Sequence, residues 1–362
     1  MNLNLKYLLA LTYVPGLGPI NQRKILKIVE PIEIWNMTES ELKKIFRKKK
    51  DLIPHFLSHK NLELAEREIQ NCQKNSIEIL DFQSQNYPQK LLHCTDAPLV
   101  LFKKGNYQFQ NKLHIGIVGT RKMTRYGKEI IKKLMEGLST QNICMISGLA
   151  YGCDIEAHRE SIQQNIPNIA VLAHGLHKVS PVAHKKEAQK IMVNGALLSE
   201  YSSFHNAEPI NFVLRNRIIA GLCDALIVVE SDTKGGALAT AQYANNYNRE
   251  VFAVPGRVND KYSRGCNNLI YRNQAQILQS ANDLLNYFNL QLRPKTQQTQ
   301  LFIALESDEQ QVFDYLKKHG KQQIDTLALQ INLPVYKLNG LLLNMELKGV
   351  VKPLMGNFYE IN

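Results

Sequence analysis

The chain has 362 residues, with 44 Lys and Arg against 32 Asp and Glu, a formal net charge of +12. That length is too great for one small core, and a hydrophobic content of 44% marks a globular protein. No run approaches the roughly 18 apolar residues of a membrane span, so a membrane partner is excluded and a polyanion is the first partner to consider.

The N-terminus, "MNLNLKYLLALTYVPGLG", lacks a basic leader region and a small-residue cleavage site. Cys72, Cys94, Cys144, Cys153, Cys223 and Cys266 lie far apart without zinc spacing. Both features predict a cytoplasmic protein in a reducing compartment.

Residues 1–75 read as a helical domain. In "YVPGLGPINQRKILKIV" (13–29) a Gly/Pro turn feeds an amphipathic helix with an apolar stripe at Ile20, Ile25, Ile28 and Val29. Such a turn can point backbone N–H groups at a phosphate. It resembles a helix-hairpin-helix, a binder of DNA backbones, and equally an ordinary helical turn. "FRKKKD" (46–51) reads as a solvated basic face.

From about 110 to 290, strands alternate with helices. The strand candidates are "KLHIGIVG" (112–119), "ICMISG" (143–148), "NIAVLAHG" (168–175), "GALLSEY" (195–201), "DALIVVES" (224–231) and "EVFAVPG" (250–256). Between them fall helices over 126–138, over "DIEAHRESIQQN", over 183–194, over 209–222 and from about 237. This alternation predicts an α/β fold, a Rossmann-like doubly wound, mainly parallel sheet with helices on both faces, over residues 80–290. Strands this apolar are buried on both sides. Residues 291–305, "LQLRPKTQQTQ" and its continuation, read as a linker. Residues 306–362 read as three helices and a terminal hairpin, a winged helix whose middle helices carry few cations.

In a doubly wound sheet, ligands bind beyond the carboxyl ends of the strands. The residues there are Gly119, Thr120, Arg121 and Lys122 after the first core strand, then Ser147 and Gly148 after the second. Further along come Lys234, Gly235 and Gly236, opening a helix, and then Arg257 with "RGCNNLI" (264–270). Glycine admits close backbone approach, and helix N-termini offer N–H groups to phosphate oxygens. Several such loops at one edge describe a phosphate-lined surface. "GTRKMTRYG" is not the G-x-G-x-x-G dinucleotide fingerprint, and no Walker lysine follows a glycine loop, so no cofactor is expected. Arg121 stands where a second glycine would admit a pyrophosphate. That placement suits an external phosphate met by a guanidinium fork; the alternative is an ion pair with Asp154 or Glu230.

In "NFVLRNRIIAGL" (211–222), Arg215, Asn216 and Arg217 sit inside a mostly apolar helix. Arg215 and Arg217 are about 200° apart around it and cannot share a face. At most one readily points at a ligand, and the other needs an internal partner. Phe204, Phe212 and Tyr201 are either core residues or stacking platforms.

The ordered set "VGTR…YG", "SGLAYGCDIEAH", "AVLAHGL", "LLSEY", "RNRIIAGL", "ALIVVES…GGALATAQYA" and "VFAVPG…GCNNLI" resembles the DNA-processing protein A family, also called Smf, over about residues 80–280. The resemblance implies a dimeric protein with a Rossmann-like core that binds single-stranded DNA in a basic pocket. It implies protection of incoming strands in natural transformation. It also implies loading of RecA recombinase, with displacement of single-strand-binding protein. The family's features carry onto Arg121 and onto residues 215–217, and more loosely onto Lys185, Lys186, Gly235 and Gly236. Lys234 is an addition to the usual pattern that favours phosphate.

An enzyme reading competes. "ESDTKGGALATAQYA" also resembles the loop of nucleotide phosphoribohydrolases of the lysine-decarboxylase-like fold. That chemistry needs a carboxylate, and Gln242 stands where a glutamate is wanted. Asp154 and His158, one turn apart, form an acid/base pair or hold the loop 147–153 by hydrogen bonds. The sequence favours a binding protein over an enzyme.

Overall fold

Alternate residues of the central strands bury into opposite faces, which is why these strands read as unbroken apolar runs. In the computed structural model, which describes residues 3–109, 112–290, 305–354 and 356–361, the strands of the larger unit are β1 (Glu78–Asp81), β2 (Val100–Gly105), β3 (Leu113–Val118), β4 (Ile143–Ser147), β5 (Asn168–Val171), β6 (Ala196–Ser199), β7 (Ala225–Val228), β8 (Glu250–Ala253) and β9 (Gln276–Ile277). Ile115 and Ile117 of β3, with Ala225 and Ile227 of β7, pack against the helices Arg125–Leu138, Cys153–Gln163 and Ala281–Tyr287. Val118, Leu226 and Val228 face the other way. They meet Ile218, Ile219 and Leu222 of the helix Pro209–Leu222 and Ala237 and Ala241 of the helix Gly236–Asn246.

The sheet order is β1-β2-β6-β5-β4-β3-β7-β8-β9. From β6 to β9 every neighbouring pair is parallel. The chain winds outward from β3 through β4 and β5 to β6, then returns to place β7 on the free side of β3, where Ile117 pairs with Ile227. The topological switch point therefore lies between β3 and β7, where a doubly wound sheet opens a crevice at its carboxyl edge.

The sheet is mixed. β2 pairs antiparallel to β6, and β1 antiparallel to β2. The sequence reading does not reach these two strands. β1 is only four residues long, and β2 ends in Lys103 and Lys104, followed by Gly105. Lys103 is nevertheless buried. It sits opposite Glu78 in the register, pairs with its carboxylate at 2.6 Å and donates to the Tyr107 carbonyl at 3.0 Å.

The first helices share a core with the sheet unit. Leu8, Leu11, Ile34, Trp35 and Phe56 are buried in one cluster with Leu99, Val100, Leu172 and Ile191. Residues 3–290 accordingly fall within one compact unit. The stripe expected at 20–29 is only partly apolar-in: Ile25 and Val29 are buried, but Ile20 and Ile28 are exposed. Gln22 takes the inward place and donates to the carbonyls of Leu11 and Leu17. The helix ends at Ile25, so Ile28 lies beyond it and off the stripe.

The second unit, taken by itself, contains the helices Ser307–His319, Ile324–Ile331 and Val335–Leu347 and the strands β10 (Gln322–Gln323), β11 (Val351–Leu354) and β12 (Phe358–Ile361), ordered β10-β12-β11. Val312, Leu316, Leu327, Leu338, Leu342 and Val351 form its core. This is the expected winged helix. Of the expected linker, residues 291–304 lie outside the described residues. No helix among the described residues is long and apolar enough to cross a membrane.

Candidate functional site

The loops after β3, β4 and β7 meet at the switch point around a cleft of about 260 Å³. Its walls bring together Gly119, Thr120, Arg121, Arg215, Asn216, Gly235 and Gly236 of the sequence-predicted residues, with Asp154, Phe212 and Asp232. The Gly119–Arg121 segment is held from both sides. The Thr120 N–H donates to the Glu230 carbonyl at 2.7 Å, and the Cys153 N–H donates to the Thr120 carbonyl at 3.2 Å. Gly152 makes the second contact possible. It has φ +78°, and a Cβ there would stand 2.2 Å from the Thr120 oxygen.

Arg121 projects from this clamped backbone into solvent. Its guanidinium carbon lies 5.7 Å over the ring of Phe212, a cation–π arrangement. Among the described residues no carboxylate pairs with it. The alternative of an ion pair with Asp154 or Glu230 is not realised, because both acids are occupied elsewhere. Glu230 is buried and accepts from the Thr124 N–H at 2.8 Å and from the Thr124 hydroxyl, bracing the start of the helix Arg125–Leu138. Asp154 accepts from the Ala150 N–H at 3.4 Å. Burial pushes its carboxyl above the ordinary carboxylate range, and the nearby Arg215 charge pulls it back.

Arg215 and Arg217 do diverge around their helix, and both turn inward. Arg217 pairs with Glu200, lies 3.8 Å from Asp96 Oδ2 and donates to the Asp96 carbonyl at 2.7 Å. Arg215 borders the cleft, yet it is 3% exposed and donates to the carbonyls of Gly148, at 2.8 Å, and Val171. At most one of them was expected to point at a ligand; in the structure both are buried, on different sides of the helix, and burial turns each guanidinium onto internal oxygens.

Two other expected ligand contacts prove internal. Ser147 is fully buried and donates to the Ile117 carbonyl at 2.6 Å. Gly148 gives room to Arg215 and not to an incoming phosphate, since a Cβ there would stand 2.2 Å from the guanidinium. Asn216 stays on the rim and reaches the Gly236 carbonyl at 3.5 Å. Gly235 precedes the helix Gly236–Asn246, and a Cβ on Gly236 would meet open space. That N-terminus lines the cleft, and the first N–H groups of a helix lack intrahelical acceptors.

Lys122, Lys185, Lys186 and Lys234 are exposed but stand outside the cleft walls. Lys185 and Lys186 begin the helix Lys185–Val193, behind His184, whose ring meets the exposed Tyr151 at 4.7 Å. Of the aromatic candidates, Phe204 is 50% exposed, while Tyr201 and Phe212 are half-buried. Phe212 takes the position beside Arg121. A usable signal was its spacing: Phe212 and Asn216 are one helical turn apart and share the cleft-facing side.

Asp154 and His158 do not form a working pair. His158 is fully buried and bonds Asn168 Oδ1 through Nδ1 at 2.9 Å. Gln242 is exposed on its helix, bonds Asn246 at 3.0 Å and stands outside the cleft walls.

The chain is similar to known proteins. The family model described as DNA recombination-mediator protein A matches residues 78–289, and the DprA winged helix domain matches residues 296–357. Protein Smf of Synechocystis is 33% identical over 77% of this chain and 71% of its own length. DNA processing protein DprA of Streptococcus pneumoniae is 37% identical over 56% of this chain and 71% of its own. The X-ray structure of the S. pneumoniae protein superposes with a TM-score of 0.67 at 29% identity, over 78% of this chain and 95% of that one. A structure of the Helicobacter pylori protein, solved for its single-stranded DNA binding mode, gives 0.54 at 28% identity, over 59% and 95%.

The inward and outward arginines should separate in stability. Arg217→Ala leaves the buried Glu200 unpaired and should lower unfolding free energy by about 3–5 kcal/mol, read by urea denaturation at neutral pH. Arg121→Ala should change it by less than about 0.5 kcal/mol. Stability should also fall on acidification through His158. Burial holds its pKa at about 4 against an ordinary 6.5, the Asn168 bond opposing the shift. The unfolded chain then binds the proton more readily, so the contribution is full above pH 6.5 and is lost as pH falls toward 4. In His158→Gln the decline of the urea midpoint over that window should be shallower than in the wild type. Equal declines would remove His158 as the cause.

Proposed function

The chain belongs to the DNA recombination-mediator protein A family, and from that premise we propose that it binds single-stranded DNA at the cleft between β3 and β7. The observation that carries this reading is Arg121, exposed and without a carboxylate partner among the described residues, seated over the half-buried Phe212. A guanidinium beside an aromatic ring offers a phosphate contact and a stacking face within one nucleotide's reach. The helix N-terminus at Gly236 adds N–H donors, and the +12 charge adds long-range attraction. The H. pylori relative, studied for its single-stranded DNA binding, supports the same ligand.

Contacts of this kind read the backbone and base faces, so affinity is indifferent to sequence and falls steeply with salt. Within that role the protein protects incoming strands in natural transformation. It also loads RecA onto them as single-strand-binding protein is displaced, and it acts as a homodimer. These functions follow the family resemblance. Binding is favoured over phosphoribohydrolase chemistry because the position that chemistry gives to a glutamate is Gln242, turned to Asn246.

Binding of a labelled single strand, against duplex of equal length over a salt series, tests the reading. The expected result is single-strand preference, with Arg121→Ala weakening binding tenfold or more, about 1.4 kcal/mol. Absence of that preference, or an indifferent Arg121, would refute it and direct attention to nucleoside monophosphates as substrates.

A further inference from the structure

A second hollow, of about 910 Å³, opens on the same edge of the sheet, where the loops after β3, β7 and β8 meet. The segment Glu230–Asp232 forms the ridge between it and the Arg121 cleft. Glu230 lines the hollow while the next residues, Ser231 and Asp232, line the cleft. Lys261 of the hollow reaches Asp232 of the cleft, Nζ to Oδ2, at 3.7 Å. The floor is rigid. The Ser231 N–H donates to the Tyr262 carbonyl at 2.6 Å, Asn267 bonds both backbone groups of Gly256, and the Tyr126 hydroxyl donates to the Pro255 carbonyl at 2.7 Å.

The rim is cationic. Arg257 is exposed and has no ion-pair partner among the described residues. Lys261 keeps 65% of its side chain in solvent and lies 5.8 Å over the Tyr262 ring. Arg125 is 93% exposed beside its helix neighbour Glu129, and Tyr126 is 42% exposed. Asp260 is the opposing exposed charge on this loop. The cations are divided between two adjoining hollows, which Phe212, Tyr126 and Tyr262 also line. A compact nucleotide would ask for convergence; a polyanionic chain asks for a track.

We propose that the loop after β8, through Arg257 and Lys261, is a second single-stranded nucleic-acid subsite that takes the strand as it leaves the Arg121 cleft across the Asp232 ridge. This extension rests on the binding reading given above. The second subsite holds phosphates at Arg257 and Lys261 and offers the faces of Tyr126 and Tyr262 to bases, so it adds affinity only for a strand long enough to cross the ridge.

The test compares oligothymidylates of about four and about fifteen nucleotides, lengths within the range of single-strand binding sites. Wild type, Arg121→Ala and the double variant Arg257→Ala/Lys261→Ala are titrated over a salt series, with thermal melting as a check that each is folded. The double variant should bind the short strand within about twofold of wild type and the long one about tenfold more weakly. Its salt slope for the long strand should be smaller by about 1.4, because each single-strand phosphate neutralised by a cation contributes about 0.7. A double variant equal to wild type on the long strand, with Arg121→Ala weak on both, overturns the extension and leaves the cleft standing. Equal losses on both strands also overturn it, since they place the two cations at the cleft's own ligand. An Arg121→Ala variant that binds both strands as wild type removes the cleft, and the extension with it.

Discussion

A guanidinium buried at the end of a sheet must put its charge on oxygen atoms, and Arg215 places it on the carbonyls of Gly148 and Val171 with Asp154 nearby. Gly148 directly follows β4 and Val171 ends β5, so one side chain from the helix Pro209–Leu222 ties two strand ends together. Asp154 in turn holds the Ala150 N–H and so the loop that carries Gly152. Gly152 is what lets the Gly119–Arg121 segment pass at contact distance. The outward aim of Arg121 thus depends on the inward burial of Arg215. Burying a cation without partners would cost several kcal/mol, and removing either side of such an arrangement leaves the other stranded.

This sets a division of labour among the cations that chain position does not suggest. The "RNR" stretch places two arginines within three residues, yet Arg215 and Arg217 act as internal fasteners. Arg217 clamps Asp96 and Glu200 behind β6 as Arg215 clamps the strand ends. Loops at the carboxyl edge of the sheet carry cations left in solvent: Arg121 and Lys122 after β3, Lys234 after β7, Arg257 and Lys261 after β8. A basic helix was needed to build the edge, and basic loops were left to dress it. Net charge reports the sum of the two classes, and only burial separates them.

The parallel core was legible because its strands announce themselves twice, as apolar runs and as the starts of loops rich in glycine. The helix 209–222 fell where its Pro209 and its apolar spacing put it. β1 and β2 were not legible. They form the antiparallel end of the sheet, outside the β/α alternation, and the lysines of β2 mimic a surface loop until the Lys103–Glu78 pairing is seen. The edge chosen for the site followed from topology alone, and Gly119, Thr120 and Arg121 lie there as expected. Ser147, Gly148 and the two helix arginines could not be sorted from sequence. A polar residue at a strand end reads the same whether it faces a ligand or a neighbouring carbonyl, and the difference is tertiary. Phe212 was visible as an aromatic one turn before Asn216, but its partner Arg121 lies far away in the chain and the pair exists only in space.

Photo-crosslinking with a single strand carrying 4-thiothymidine, followed by peptide mapping, tests the central claim most directly. The account predicts adducts on the segment around Gly119–Lys122 and on the start of the helix Pro209–Leu222 at Phe212, with Arg121→Ala reducing both. Adducts confined to the winged-helix residues, with none at the carboxyl edge of the sheet, would contradict it.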